Sequence, residues 1–329
     1  MAVTGSDLQF YYPSTINDGD TNGGRLSHLP ITSGAVENVF PNVPKAERLA
    51  GSTKYRKVFA KVHSDNSDTV YYPKLYLFAP TPAGDMVHFV PSTQRGTKAD
   101  LTGLEDKYGA ATLVSQSTTT LVVDVEDSSL TGIFRASDEI IITNKATPTS
   151  TTGNEETRTI VSIDSVVGAR ITMTISSALA NVYAAGSKVA SIYPGTTPLA
   201  CTVSNWVETS SAGTYDEGGY PVIMNNRGTI EQTWTVTFLT ASTFTVTGDT
   251  VGSVGSGGIS ADFVPNNANF SKPYFTLEAA GFGGTWAQND TIVFQTHPIT
   301  VPVFEIRNVP ANTVSFSSNL ATLVFTCEA

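Results

Sequence analysis

In "GTIEQTWTVTFLTASTFTVTGDTVG" apolar and polar residues exchange places at every step, so that Ile230, Gln232, Trp234, Val236 and Phe238 fall on one face. A period of two is the signature of a strand with one buried face, and no helix can be built from it. "TAST" supplies the turn, and on the return strand Phe244 and Val246 can pair across it. The pattern recurs along the chain. Leu8, Phe10 and Tyr12 alternate with polar neighbours in "DLQFYYP", which Pro13 ends. "YRKVFAKVHS" and "TVYYPKLYLFAP" form two strands around the polar turn "DNSD", a hairpin that places Tyr71, Tyr72, Tyr76 and Phe78 on a sheet face. The helical exception is one turn over Pro44 to Ala50, closed by Gly51. With 40% hydrophobic residues, 15% charged residues and 27 glycines for turns, the chain reads as a folded β protein.

A chain of 329 residues is longer than one core usually supports. Changes in pattern divide it into an N-terminal β domain over 1–108, a small β-barrel-like domain over 109–195 and a C-terminal β-sandwich-like domain over 196–329. In the middle segment "TTTLVVDVEDSSL", "DEIIITNK", "ETRTIVSIDSVVGARITMTISSAL" and "GSKVASIYP" are short apolar runs, with "SVVGAR" a tight connection and "NKATPTSTTGNEE" an exposed loop. In the last segment "GSVGSGG" reads as a flexible loop, since no helix signal or GK[ST] follows to make it a phosphate cradle. "DTIVFQTHPITVPVFEIRNVP" and "SFSSNLATLVFTCEA" supply closing strands. The expected fold class is all-β and multi-domain, of β-sandwich and small β-barrel modules with minimal helix.

Charge and motifs narrow the function. A formal charge of −10 repels a phosphate backbone, which argues against nucleic acid as a partner. The start has neither a basic n-region nor an apolar h-region, and no window approaches a bilayer-spanning length, so no membrane insertion is expected. Cys201 and Cys327 lie far apart without CxxC or Cys/His spacing and are expected to be unbridged. GxSxG is absent, and His28, His63, His88 and His297 show no HxH, HxxxH or HExxH spacing. Each histidine reads as a surface or strand residue; distant groups can converge only through the fold. Glu155 and Glu156 are adjacent on an extended loop and point apart, which does not suit an acid/base pair. "DGDTNGG", Asp18 to Gly24, begins like a calcium loop, but position twelve is Leu29 where the template needs a bidentate Glu. It reads instead as a turn in which Asp and Asn bond their own backbone and glycines take positive φ. No catalytic, cofactor-binding or metal residue is assigned, and no enzyme is expected.

"DGDTNGGRLS…ITSGAVENVFPNVPKAERLAGSTKYRKVFAKV", "IFRASDEIIIT…GNEETRTIVSID…ITMTISSALANVYAAGSKVAS" and "YPVIMNNRGTIEQTWTVTFLTASTFTVTGDTVGSVG…YFTLEAAGFGGTW" resemble segments of structural proteins from tailed-bacteriophage particles. The middle one is similar to small β-barrel modules of tail and baseplate proteins. The last resembles a module with a Trp-Gly-rich stretch and an Arg-Phe strand, although Phe282 and Val293 stand here where Trp and Arg are expected. The resemblance implies a virion structural protein, assembled in the host cytoplasm and placed at the tail or baseplate. It would join neighbouring tail proteins as homo-oligomeric copies. Two other readings stay open: a receptor- or carbohydrate-binding tail-tip protein, with Trp206, Trp286 and tyrosines stacking on sugars, and a head decoration or head–tail completion protein.

Overall fold

The computed structural model describes residues 3–35, 37–195, 197–317 and 319–328. Strands β1 (Leu8–Thr15) and β2 (Gly23–Pro30) form an antiparallel hairpin, and a single helical turn, α1 (Lys45–Ala50), leads through Gly51 at φ 80° into β3 (Ser52–Val62). β4 (Tyr71–Leu77) and β5 (Met86–Pro91) follow. The expected hairpin of β3 with β4 does not form. β3 lies between β1 and a strand from the far end of the chain, whereas β4 belongs to another sheet. The turn "DNSD" instead carries the chain from one layer to the next.

The next six strands are β6 (Ala110–Gln116), β7 (Thr120–Asp124), β8 (Glu139–Thr143), β9 (Glu155–Val167), β10 (Arg170–Ile175) and β11 (Lys188–Ser191). They close into an antiparallel barrel in the order β10-β7-β6-β11-β8-β9. Closure removes sheet edges, and alternation fills the interior with Leu113, Leu121, Val123, Ile140, Ile142, Ile160, Ile171 and Met173.

After the short β12 (Tyr193–Pro194) come β13 (Thr202–Thr209), β14 (Gly213–Tyr215), β15 (Gln232–Phe238), β16 (Thr243–Gly248), β17 (Gly252–Gly258), β18 (Asn266–Asn267), β19 (Lys272–Pro273), β20 (Phe282–Gly284) and β21 (Thr291–His297). Five of these build a sheet in the order β13-β21-β15-β16-β17. Trp234, Val236 and Phe238 face its core, and Val236 pairs with Val246 and Phe238 with Phe244 across the β15–β16 turn. "GSVGSGG" is not a loop: it pairs with β16 as the edge strand β17. Glycine alone does not forbid a strand when a neighbouring strand supplies the ladder.

Pro298 then diverts the chain. β22 (Thr300–Val309) enters the first sheet between β3 and β5, completing the order β2-β1-β3-β22-β5, and β23 (Leu323–Glu328) joins β12-β4-β23. The expected C-terminal unit over 196–329 therefore differs from sheet membership. Its last two strands belong with the N-terminal elements, where Val303 and Phe325 share a core with Val58, Leu75, Leu77 and Phe89. Sequence order concealed this, because "PITVPVFEIRNVP" reads as one more strand wherever it docks.

Two lysines of β3 point into the protein. Lys57 is 1% exposed, and its ammonium donates to the carbonyls of Gly24 at 2.7 Å, Thr93 at 2.8 Å and Gly96 at 2.8 Å. Lys61 is fully buried and donates to the Asn226 carbonyl at 2.5 Å, tying the first sheet to the unit built on β13–β21. Arg227 and Lys272, both paired with Asp65, brace the same seam.

Candidate functional site

Three adjacent strands bring a serine, a histidine and a glutamate into one row. The register of β13 on β21 sets Thr202 opposite His297 and Ser204 opposite Gln295, so Ser204 and His297 are diagonal neighbours on one face. Continuing the pairing of Gln232 with Thr296 places Glu231, one residue before β15, on the other side of His297. The side chains meet accordingly. Ser204 Oγ lies 2.7 Å from His297 Nε2, and His297 Nδ1 lies 2.7 Å from Glu231 Oε2.

The acid is held from a second direction. Arg95, from the loop after β5, donates from Nε to Glu231 Oε1 at 2.8 Å and reaches Thr233 Oγ1 at 3.3 Å. Glu231 is buried, which alone would raise its pKa, but hydrogen bonds from His297 and Arg95 outweigh that and hold it below its ordinary value. A carboxylate at Nδ1 fixes the tautomer with the proton on Nδ1, leaving Nε2 to accept from the Ser204 hydroxyl. His297 keeps 28% of its side chain exposed, and Ser204 is half-buried.

The backbone beside Ser204 departs from regular β geometry. The register passes from Ser204 opposite Gln295 directly to Val207 opposite Val293, so Asn205 and Trp206 bulge out of the ladder. Asn205 sits at φ 53°, a left-handed conformation rare for a residue with a Cβ, and β13 is an edge strand.

Elsewhere the charged clusters are occupied by partners within the protein. Asp18 accepts from Arg56 at 2.6 Å and lies 3.4 Å from Lys54, while Asp20 pairs with Lys98 at 3.1 Å. Asn17 Oδ1 accepts from the Gly19 N–H, Asn22 donates to the Tyr55 carbonyl, and Gly23 and Gly24 take φ of 115° and 79°. "DGDTNGG" is thus the turn of the β1–β2 hairpin, its carboxylates directed at cationic side chains. Among the described residues no group of three or more His, Cys, Asp or Glu is placed to hold a metal ion. Glu156 lies at the start of β9 and accepts from Arg158, from the Ala180 and Asn181 N–H groups and from Tyr183; these bonds overcome burial and bring it down to about 2. Glu155 pairs separately with Lys145.

A cleft of about 730 Å³ lies between β5, the 98–107 segment and Ser129–Leu130 of the barrel unit. His88 lines it with Nδ1 unbonded, and burial with the nearby Lys107 charge pushes the ring down to about 4. Glu105 at its rim is committed to Thr102 and Gly103. His63 bonds the Tyr11 hydroxyl at 2.7 Å and is also pushed down to about 4, chiefly by burial, and His28 is exposed on β2.

Trp286 is 1% exposed and stacks on Phe238 at 4.1 Å, and Trp206 stacks on Phe294 with its Nε1 bonded to Glu208. Of the tyrosine-rich β4 region, Tyr76 and Phe78 are in the core while Tyr71 and Tyr72 are exposed. Cys201 and Cys327 are free thiols. Reading the sequence singled out His297 but gave it no partners, because Ser204 and Glu231 are 93 and 66 residues away. Only strand register joins them. No family model matches the chain, and neither a curated protein nor a solved structure shows significant similarity to it.

Proposed function

We propose that this chain is a structural protein of a tailed-phage particle, placed at the tail or baseplate, where repeated copies join neighbouring tail proteins through sheet edges. The observation that carries the reading is β17. It is an outer strand, largely exposed, composed only of Gly, Ser and Val, with no further strand against it among the described residues. Natural proteins blunt such edges with charge, proline or a covering element, because unpaired backbone groups recruit other strands. A bulge at Val254 interrupts the pairing with β16, yet Gly255–Gly258 beyond it carries no such protection. An edge of this composition suits addition of a strand from another chain, with backbone hydrogen bonds supplying the affinity.

The charge of −10 supports the same reading in part: identical copies alone repel, so docking favours a less acidic neighbour. The sugar-stacking alternative is weakened by the packing of Trp206 and Trp286 described above. The experiment is to locate the chain, by antibody labelling or reconstruction, in particles made from the genome that encodes it. Symmetric copies at the tail or baseplate are expected. Finding it only on the capsid, or absent from purified particles, overturns the proposal.

A further inference from the structure

We propose that Ser204 is a nucleophile that cleaves small carboxylic esters, with His297 as its general base and Glu231 as the residue that positions the imidazole. Four observations on one surface support this. Ser204, His297 and Glu231 are linked in the order and at the distances that nucleophilic serine chemistry requires, 2.7 Å at each step. The carboxylate is anchored by Arg95, so it cannot swing away from Nδ1 without breaking a 2.8 Å ion pair. The residue after the serine is held at φ 53°; backbone strain of this kind concentrates at functional sites. Finally, the bulge at Asn205 and Trp206, whose side chains bond Gln295 and stack on Phe294, bends the backbone beside Ser204 out of regular register. The N–H of the residue after the nucleophile is a recurrent donor to the oxyanion of acyl transfer.

The reaction balances within these groups. Ser204 Oγ bonds to the ester carbonyl carbon as its proton passes to His297 Nε2, and the carbonyl electron pair moves to oxygen. Collapse of that adduct breaks the carbon–alkoxide bond, and the departing alcohol takes the proton from Nε2. Water then repeats the sequence on the acyl-serine: its proton goes to Nε2, its oxygen bonds to carbon, and Ser204 recovers the proton as the carboxylic acid leaves. Nothing is oxidised or reduced. Ser204 and His297 line neither the cleft beside β5 nor the hollow around Asn225 and Lys272. With His297 28% exposed and Ser204 half-buried, a short acyl ester can reach the row from solvent.

The test uses the full chain with a fluorophosphonate probe and with p-nitrophenyl acetate. Mass mapping should place the phosphonate on Ser204, at least about tenfold above any other serine, and ester turnover should fall by 100-fold or more in Ser204→Ala, as expected when a nucleophile is removed. Loss of one half-buried hydroxyl does not threaten folding, and an unchanged melting temperature verifies that. Glu231→Gln separates positioning from structure: an amide facing Nδ1 selects the wrong tautomer, so kcat should fall by about 10³–10⁴ with KM unchanged. Labelling spread over surface serines, or equal turnover by wild type and Ser204→Ala, overturns the proposal. In that event the row of side chains serves only to pin the seam.

Discussion

Replacing Lys57 by methionine keeps an unbranched side chain, one atom shorter, and removes the three donors of the ammonium. The change tests whether the carbonyls of Gly24, Thr93 and Gly96 need the ammonium they surround. Hydrogen bonds to a charged group contribute about 1.5–3 kcal/mol each, so the gross loss is about 4–9 kcal/mol. Against this, the variant no longer buries a charge, which returns several kcal/mol. Some carbonyls also have second donors: Gly96 accepts from the Gly24 N–H at 2.9 Å, and Thr93 from the Gly96 N–H at 3.3 Å. A net loss of about 2–4 kcal/mol remains. With an unfolding entropy of about 2.1 cal/mol/K per residue, a cooperative unit of this length should melt about 3–6 °C lower. Burial brings Lys57 down to about 7, so the comparison belongs at pH 6, where the ammonium is present. Calorimetry of both proteins gives the answer. A melting temperature within 1 °C of wild type, or above it, would refute the idea that the cage contributes more than an apolar filling.

Gly213 faces Trp286 so closely that a Cβ there would sit 2.2 Å from Cδ2 of the indole; Gly213→Ala should cost about 1–3 kcal/mol, read as a lower urea midpoint with altered tryptophan fluorescence. His63 and His88, both pushed down to about 4 in the folded protein, bind fewer protons there than in the unfolded chain. Their contribution is complete above the ordinary histidine value of about 6.5 and is lost as pH falls toward 4. The melting temperature should decline across that window, and a flat profile contradicts the assignment. Glu156 acts in a separate, more acidic window, losing its contribution as pH falls from the ordinary glutamate range through about 2. Ser256→Lys on β17 should leave the melting temperature unchanged but prevent incorporation into particles; normal incorporation would direct attention to another edge.

Alternation identified the β15–β16 hairpin, short apolar runs marked β7 to β11, and Asx and glycine chemistry gave the turn at "DGDTNGG", while β6, which closes the barrel against the distant β11, went unread. These local signals failed where the partner was remote. β3 offers the same alternation whether it pairs with β4 or β22, and nothing within "YRKVFAKVHS" distinguishes the two. "GSVGSGG" lacks side chains that favour a strand, and only β16 beside it makes one. The row of Ser204, His297 and Glu231 was illegible for the same reason: it exists only in the register of three strands, one of which begins beyond residue 290.

The position of β22 carries a consequence for biogenesis. A central strand of the first sheet is synthesised after residue 299, so β3 and β5 leave the ribosome roughly 200 residues before the strand that must lie between them. The barrel, whose strands all lie between residues 110 and 191, can close during translation. The first sheet must wait, with β3 and β5 exposing edges that any foreign strand could occupy. Folding is therefore expected to proceed from the middle of the chain outward, and the interval before β22 arrives is when a chaperone would matter most.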